Sequence, residues 1–113
     1  MAVEYKNAKV DLTTTNLTVL YTAPLETTAI IKSLIVVEDS NSADVLQVTL
    51  VNGSSIFNIY KDKAVGAKDT IELLTQPLVV AAGEIIKVQA TTANRLHVVM
   101  SFMEVTSDTN NPL

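Results

Sequence analysis

The chain contains a single histidine, His97, the side chain best suited to proton transfer near neutral pH. A histidine base needs a nucleophile to activate and a carboxylate to orient it, and its neighbours in the sequence supply neither. His97 alternates with Leu96 and Val98 in an apolar stretch, so its side chain is expected on the outer side of a strand. We therefore predict a surface or interface histidine, and we expect no enzyme activity.

Oxygen-bearing side chains alternate in the segment DSNSAD (39–44), as they do in calcium-binding loops. The pattern breaks at Ala43, no glycine follows it, and Leu50 stands where such a loop has a bidentate glutamate. The segment is more typical of a turn whose side chains bond to the backbone nearby. Cysteine is absent as well, so we expect neither a metal nor another cofactor.

Three lysines, Lys61, Lys63 and Lys68, form the one basic cluster of the chain, but Asp62 and Asp69 interrupt it. No aromatic side chain that could stack on a base lies among residues 61–69, which favours a solvated loop. Contact with an acidic protein surface is the alternative. The net charge of −4 repels polyanions, so we expect neither nucleic acid nor a membrane as a partner.

Residue composition predicts the elements that position these side chains. Thr, Val and Ile make up 37 of the 113 residues, and these β-branched types pack well on a pleated sheet. Alternating apolar segments separated by turn residues predict an all-β fold, a single antiparallel β-sandwich of about eight strands with a jelly-roll-like winding. It would span residues 1–106, followed by a flexible C-terminal tail, 107–113. Strands are predicted over 6–12, 17–22, 28–38, 45–51, 55–60, 70–74, 78–81, 84–91 and 96–105.

Two segments carry sharper predictions than the rest. Asn52-Gly53 between alternating stretches predicts a hairpin with a type I′ turn. The third strand is apolar on both faces, with Ile31, Ile35 and Val37 on one, which predicts a central strand covered on both sides. The alternation also predicts one core, formed by Leu46, Val48, Leu50, Ile86, Val88, Val98, Met100 and Phe102.

The last strand has more apolar side chains than one core can cover. If its even-numbered residues face the core, the odd-numbered ones face away from it. An exposed apolar patch of this kind marks a protein interface, so we expect the chain to form a homo-oligomer. The candidate interface residues are His97, Val99, Met103 and Val105, together with Lys61 and Lys63 of the basic segment.

Targeting signals are not apparent in the sequence. Residues 1–7 carry charged and amide side chains where a secretory signal needs an apolar stretch. The longest uninterrupted apolar run, 78–82, is far shorter than the ~20 residues that span a bilayer. We therefore expect a chain that is made and assembled in the cytoplasm of a host cell.

Five segments distributed over nearly the whole chain occur in a familiar order. They are YKNA (5–8), TVLYTAP (18–24), TAIIKSL (28–34), PLVVAAGEIIKV (77–88) and VMSFMEV (99–105). In this order the chain resembles the small β-sandwich virion proteins of tailed bacteriophages, which include capsid decoration (cement) proteins and some tail-associated proteins. The resemblance implies a non-enzymatic virion component and transfers no catalytic residues.

The resemblance implies a decoration protein that clamps neighbouring subunits of the major capsid protein, most plausibly as a trimer. A tail, neck or fibre-associated protein is the alternative, with tail proteins as partners. A carbohydrate-binding module for host recognition is a further alternative. Sugar sites favour aromatic platforms, however, and the chain has no Trp, three Tyr and two Phe.

Overall fold

Strands form all the regular secondary structure of the computed structural model, which describes residues 2–107. The prediction of an all-β fold is confirmed. β1 begins at Ala2 rather than at Lys6, and β5 continues to Val65 rather than ending at Tyr60. The nine strands are β1 (Ala2–Asp11), β2 (Thr18–Thr22), β3 (Thr27–Glu38), β4 (Asp44–Asn52), β5 (Ser55–Val65), β6 (Thr70–Glu72), β7 (Leu78–Val80), β8 (Ile85–Ala90) and β9 (Leu96–Thr106).

The strands form two antiparallel sheets that pack together as a sandwich. One sheet has the order β1-β9-β3-β6, with β7 also paired to β3, and the other has the order β2-β8-β4-β5. The antiparallel pairs are nested around the β4–β5 hairpin. β4 pairs with β5, β3 with β6 and β7, β2 with β8, and β1 with β9. This winding is a jelly roll. The two short strands β6 and β7, both within predicted ranges, together line one side of β3.

The core lies between the two sheets, where the alternation predicted it. Seven of the eight predicted core residues are buried, and the eighth, Leu50, is half-buried and packs against them. The same cluster contains residues from loops that close the sandwich, including Leu12, Ala23 and Leu73. A period of two along each strand therefore predicted most of the interior.

A β-bulge on β3 changes which of its apolar residues share a face. Ile31 pairs with Phe102 and Ser33 with Ser101, so Lys32 is an extra residue on β3. The bulge shifts the alternation, so Ile31 and Leu34 are both buried, whereas Ile35 lies on the outer face. The prediction that Ile31 and Ile35 share a face is therefore wrong. β3 is internal to its sheet, but its outer face is not covered by a second layer.

The tight turn between β4 and β5 differs from the predicted type. Asn52 pairs with Ser55, so the central residues of the turn are Gly53 and Ser54. Only Gly53 has a positive φ, +60°. A glycine with positive φ at the first central position is typical of a type II′ turn, so the predicted type I′ turn is wrong although the hairpin is confirmed.

The predicted loop over 61–69 is wrong in its first half. Lys63 pairs with Leu46 and Val65 pairs with Asp44, which extends β5 along the full length of β4. β5 is the edge of its sheet, and lysines are common on edge strands because they discourage pairing with other chains. The charges therefore indicated an edge strand and not a loop.

A buried carboxylate connects the two loops at the end of β3. Glu38 accepts hydrogen bonds from the backbone N–H groups of Ser40 at 2.9 Å, Ser42 at 3.2 Å and Lys68 at 2.9 Å, and from the Ser40 hydroxyl. Burial would raise the pKa of Glu38, but these hydrogen bonds outweigh it and lower the pKa to about 2. The acidic segment 39–44 is therefore organised around Glu38.

The end of the chain is described only as far as Ser107. Its backbone N–H donates to the carbonyl of Glu26 at 2.7 Å. The rest of the predicted tail, 108–113, lies outside the described residues. In the part of the chain that the structure describes, there is no helix with the length and apolar character needed to cross a membrane.

Candidate interaction surface

Apolar side chains form a continuous row across the outer face of the five-stranded sheet. Tyr5 pairs with Met103, Met103 with Ile30, and Ile30 with Val79, so four neighbouring strands each contribute one residue. Directly paired residues project from the same face of a sheet. The next pair toward the N-terminus of β1 joins Val3 to Val105. We call these six residues the apolar band: Val3, Tyr5, Ile30, Val79, Met103 and Val105.

Much of the apolar band is in contact with solvent. Tyr5 is 80% exposed and Val79 is 56% exposed, whereas Ile30, Met103 and Val105 are half-buried between their neighbours. The exposure follows from the register, because the second sheet covers only the opposite face of these strands. Surface apolar residues are ordinary when scattered singly, but a contiguous row of them marks a binding surface.

A polar cluster occupies the other end of the same face. His97 pairs with Asp11, and its Nε2 lies 3.2 Å from Asp11 Oδ1 and 3.3 Å from Asp39 Oδ2. A shallow cavity of about 250 Å³ adjoins His97. Its other lining residues are Lys9, Val10, Asp11, Val98 and Val99. No serine, threonine or cysteine lines this cavity, and Asp11 is the one carboxylate among its lining residues.

The six candidate interface residues do not form one site. His97, Val99, Met103 and Val105 all lie on the outer face of the five-stranded sheet, but only Met103 and Val105 belong to the apolar band. Lys61 and Lys63 lie on β5, at an edge of the other sheet. Lys63 Nζ lies 5.9 Å from the centre of the Tyr60 ring, within the range of a cation–π contact.

Four residues of the apolar band, Val3, Tyr5, Ile30 and Val79, were not predicted as interface residues. Sequence reasoning began β1 at Lys6, which left Val3 and Tyr5 outside any strand. Their alternation with Glu4 was a signal for a longer strand. Ile30 and Val79 could not be placed on the outer face without the bulge of β3 and its pairing with β7.

An ion pair between a partly exposed lysine and a buried glutamate joins β1 to β9 behind the apolar band. Glu104 is buried; Lys6 Nζ lies 2.8 Å from its Oε1, and the Tyr21 hydroxyl donates to its Oε2 at 2.5 Å. Burial would raise the pKa of Glu104, but the bonds from Lys6 and Tyr21 outweigh it and lower the pKa. Burial, followed by the bond to Glu104, raises the pKa of Tyr21. Lys6 of β1 and Tyr21 of β2 are therefore both bonded to Glu104 of β9.

Further exposed apolar residues lie at the same end of the sandwich as the apolar band. The hairpin after Val51 carries exposed Ile56 and Phe57, and the turn before β3 carries exposed Leu25. The strand pairings place these residues at the same end. Val51 pairs with Ile85, Ile85 pairs with Thr22, and the turn that contains Leu25 leads from Thr22 into β3. β3 begins at Thr27, which pairs with the last residue of β9. One end of the molecule is thus apolar, while the other carries the His97 cluster and the loops joined by Glu38.

No group of three or more His, Asp or Glu side chains within residues 2–107 is arranged to hold a metal ion. In comparisons with known proteins, the chain matches no family model and no curated sequence.

Proposed function

We propose that this chain is a non-enzymatic structural protein of a tailed-bacteriophage virion, a capsid decoration protein that stabilises the shell. The proposal includes assembly in the host cytoplasm and contacts with the major capsid protein and with other copies of the chain. It is supported by the sequence resemblance to small β-sandwich virion proteins and by the surface of the jelly roll. The fold by itself would not carry it, because one fold supports many functions.

The apolar band is the observation that carries the proposal. A row of side chains across four strands offers a flat, rigid surface, and burying it against a shell removes apolar area from water. The binding surface lies on strands and not on loops, so little conformational entropy is lost when it binds. A clamp on a capsid requires a surface of this kind.

The surroundings of His97 support the non-enzymatic part of the proposal. A histidine whose Nε2 lies within 3.3 Å of carboxylate oxygens of Asp11 and Asp39 is suited to hold β1, β9 and the loop after β3 together by polar contacts. Acyl transfer or hydrolysis through a hydroxyl or thiol nucleophile needs that group within hydrogen-bond reach of the base, and no serine, threonine or cysteine lines the adjacent cavity. We assign His97 a structural role.

A tail, neck or fibre-associated protein is the second candidate. The described residues form a body of 52 × 27 × 22 Å with its exposed apolar residues concentrated at one end. Such a body can attach by one end and project the polar end outward, as a protein bound to a tail would. A sugar-binding module is less well supported, because the exposed rings of Tyr5 and Phe57 lie on different sheets.

The number of copies in purified particles tests the proposal and separates its two forms. A decoration protein should be present at hundreds of copies per particle, and a tail-associated protein at tens or fewer. Quantitative mass spectrometry of particles from cultures that encode the chain gives this number. Absence of the chain from the particles would contradict both forms.

Two matched variants test the role of the apolar band. Val79→Glu places a charge in the band, whereas Leu17→Glu places the same charge on an exposed apolar residue before β2, outside the band. We expect particles to retain Leu17→Glu and to lose Val79→Glu when both variants remain folded. Equal retention of the two variants would show that the band does not bind the particle.

A further inference from the structure

The four edges of the two sheets differ in how well they resist pairing with another chain. β6 and β7 have three residues each, β2 has five and contains a register shift, and β5 is opposed to β4 with two register shifts. Short edges, bulges and edge lysines all protect against strand addition. β1 carries Lys6 and Lys9 as β5 carries Lys61 and Lys63, so what distinguishes β1 is its length and unbroken register. β1 has ten residues in continuous register with β9 and, within residues 2–107, pairs with no other strand. It is the one long and regular edge of the described sandwich.

The edge is also held in place before any partner arrives. Its ladder with β9 and the contact of Lys6 with Glu104 hold the middle of β1 in place. A strand that is already ordered loses little entropy when it pairs with a second strand. β1 is thus prepared for strand addition.

The side chains of β1 are complementary to a second copy of the same strand. Consider an antiparallel pair with a twofold axis at Tyr5, in which residues 2–8 of the two copies overlap. Glu4 then faces the partner's Lys6, and the same contact occurs twice. If the axis lay at Lys6, the two copies of Lys6 would face each other. If it lay at Glu4, the two copies of Glu4 would face each other. Opposite charges across a strand pair stabilise it and like charges destabilise it.

We propose that two copies of this chain pair through β1 in the register centred on Tyr5. The inference deepens the proposed function, on which its biological role depends, by identifying a second copy as the partner at this edge. A twofold axis perpendicular to the sheet keeps each outer face on the same side. The two apolar bands therefore join through Tyr5 into one band across both copies. The oligomer proposed here is a twofold dimer and not the trimer that the phage resemblance implies.

Introduced cysteines can test the register, because the chain has none of its own. Facing residues of an antiparallel pair have Cα atoms about 4.5–5.5 Å apart, a separation that a disulfide spans. Tyr5→Cys should therefore cross-link two copies under mild oxidation. Asn7→Cys is the matched control, since position 7 faces position 3 of the partner and its own counterpart is ~13 Å away along the strand.

Solution mass completes the experiment. We expect the unmodified chain to have the mass of a dimer, Tyr5→Cys to cross-link nearly completely, and Asn7→Cys to cross-link only when mixed with Val3→Cys. Tyr5→Lys, a change at an exposed side chain that sets two like charges face to face, should give a folded monomer. Leu25→Lys, the same change in the turn before β3, should remain a dimer.

A monomer at every concentration, a trimer, or equal cross-linking of Tyr5→Cys and Asn7→Cys would overturn the inference. Binding of the same preparations to purified particles separates this failure from that of the proposed function. A monomer or trimer that binds particles contradicts the β1 pairing alone. A dimer with the expected cross-links that binds no particle supports the pairing and contradicts the virion role.

Discussion

The carboxylate of Glu38 and the backbone N–H of Lys68 are joined by a hydrogen bond of 2.9 Å across 30 positions of sequence. The same carboxylate accepts three hydrogen bonds from Ser40 and Ser42, so it is buried with its charge compensated. One side chain thereby fixes two loops at the polar end of the sandwich. The apolar end, in contrast, is stabilised by side-chain burial and by the contacts of Glu104.

Acid should weaken the fold through Glu38. Its pKa in the folded chain is about 2, below the 4.5 of a free glutamate. The charged form is therefore stabilised by folding, and the contribution is complete above pH 4.5 and lost as the pH falls from 4.5 to about 2. We expect Glu38→Gln to lower the free energy of unfolding at pH 7 and to flatten its dependence on pH in this interval. Urea unfolding at several pH values measures both effects, with exposed Glu26→Gln as control.

Phe102 should contribute strongly to stability. It is 4% exposed, and its ring centre lies 4.4 Å from that of Tyr21. Truncation to Ala should cost about 3–5 kcal/mol of unfolding free energy, because it removes buried apolar area and leaves a cavity. Phe57, which is 56% exposed, provides the matched control, and Phe57→Ala should cost much less. Similar losses for the two variants in chemical unfolding would contradict the assignment of the core.

The turn at Gly53 should depend on its backbone and not on space for a side chain. A Cβ at Gly53 would meet no atom within 4 Å, but its φ of +60° is unfavourable for other residues. We expect Gly53→Ala to destabilise the chain by about 1–2 kcal/mol. Gly66→Ala is the comparison, since Gly66 has no positive φ and a Cβ there makes only ordinary contacts. Thermal unfolding of both variants should rank Gly53→Ala as clearly less stable.

Replacement of His97 should change stability without abolishing the biological role. His97→Ala removes the contacts with Asp11 and Asp39, which connect β1, β9 and the loop after β3. We expect the variant to fold and to be recovered on particles at the copy number of the unmodified chain. A variant that keeps its fold and mass but loses function would instead indicate catalysis or direct binding by His97.

The alternation of apolar residues along the strands predicted most of the fold. Burial of one face of a sheet requires an apolar residue at every second position, so this pattern is visible in the sequence. It predicted the wrong faces for Ile31 and Ile35, since a bulge shifts the phase and nothing local in the sequence fixes its position. The same alternation gave no indication that Glu38 joins two loops. Glu38 continues the alternation of Leu34 and Val36 on the buried face, but a single sequence does not show whether a buried carboxylate finds donors.

The apolar band was predicted only in part for a similar reason. Met103 and Val105 follow from the alternation of one strand. The apolar band requires four strands in register, and such pairings between distant segments are set by the whole fold. Lys61 and Lys63 were grouped with the interface on charge alone, and they lie on the other sheet.

Electron cryomicroscopy of purified particles tests the virion role most directly. We expect density for the jelly roll in many symmetric copies on the outside of the capsid shell, with the end that carries Tyr5 and Val79 against the shell. Particles that lack such density on both shell and tail, from cells in which the chain is abundant and soluble, would contradict the proposed function.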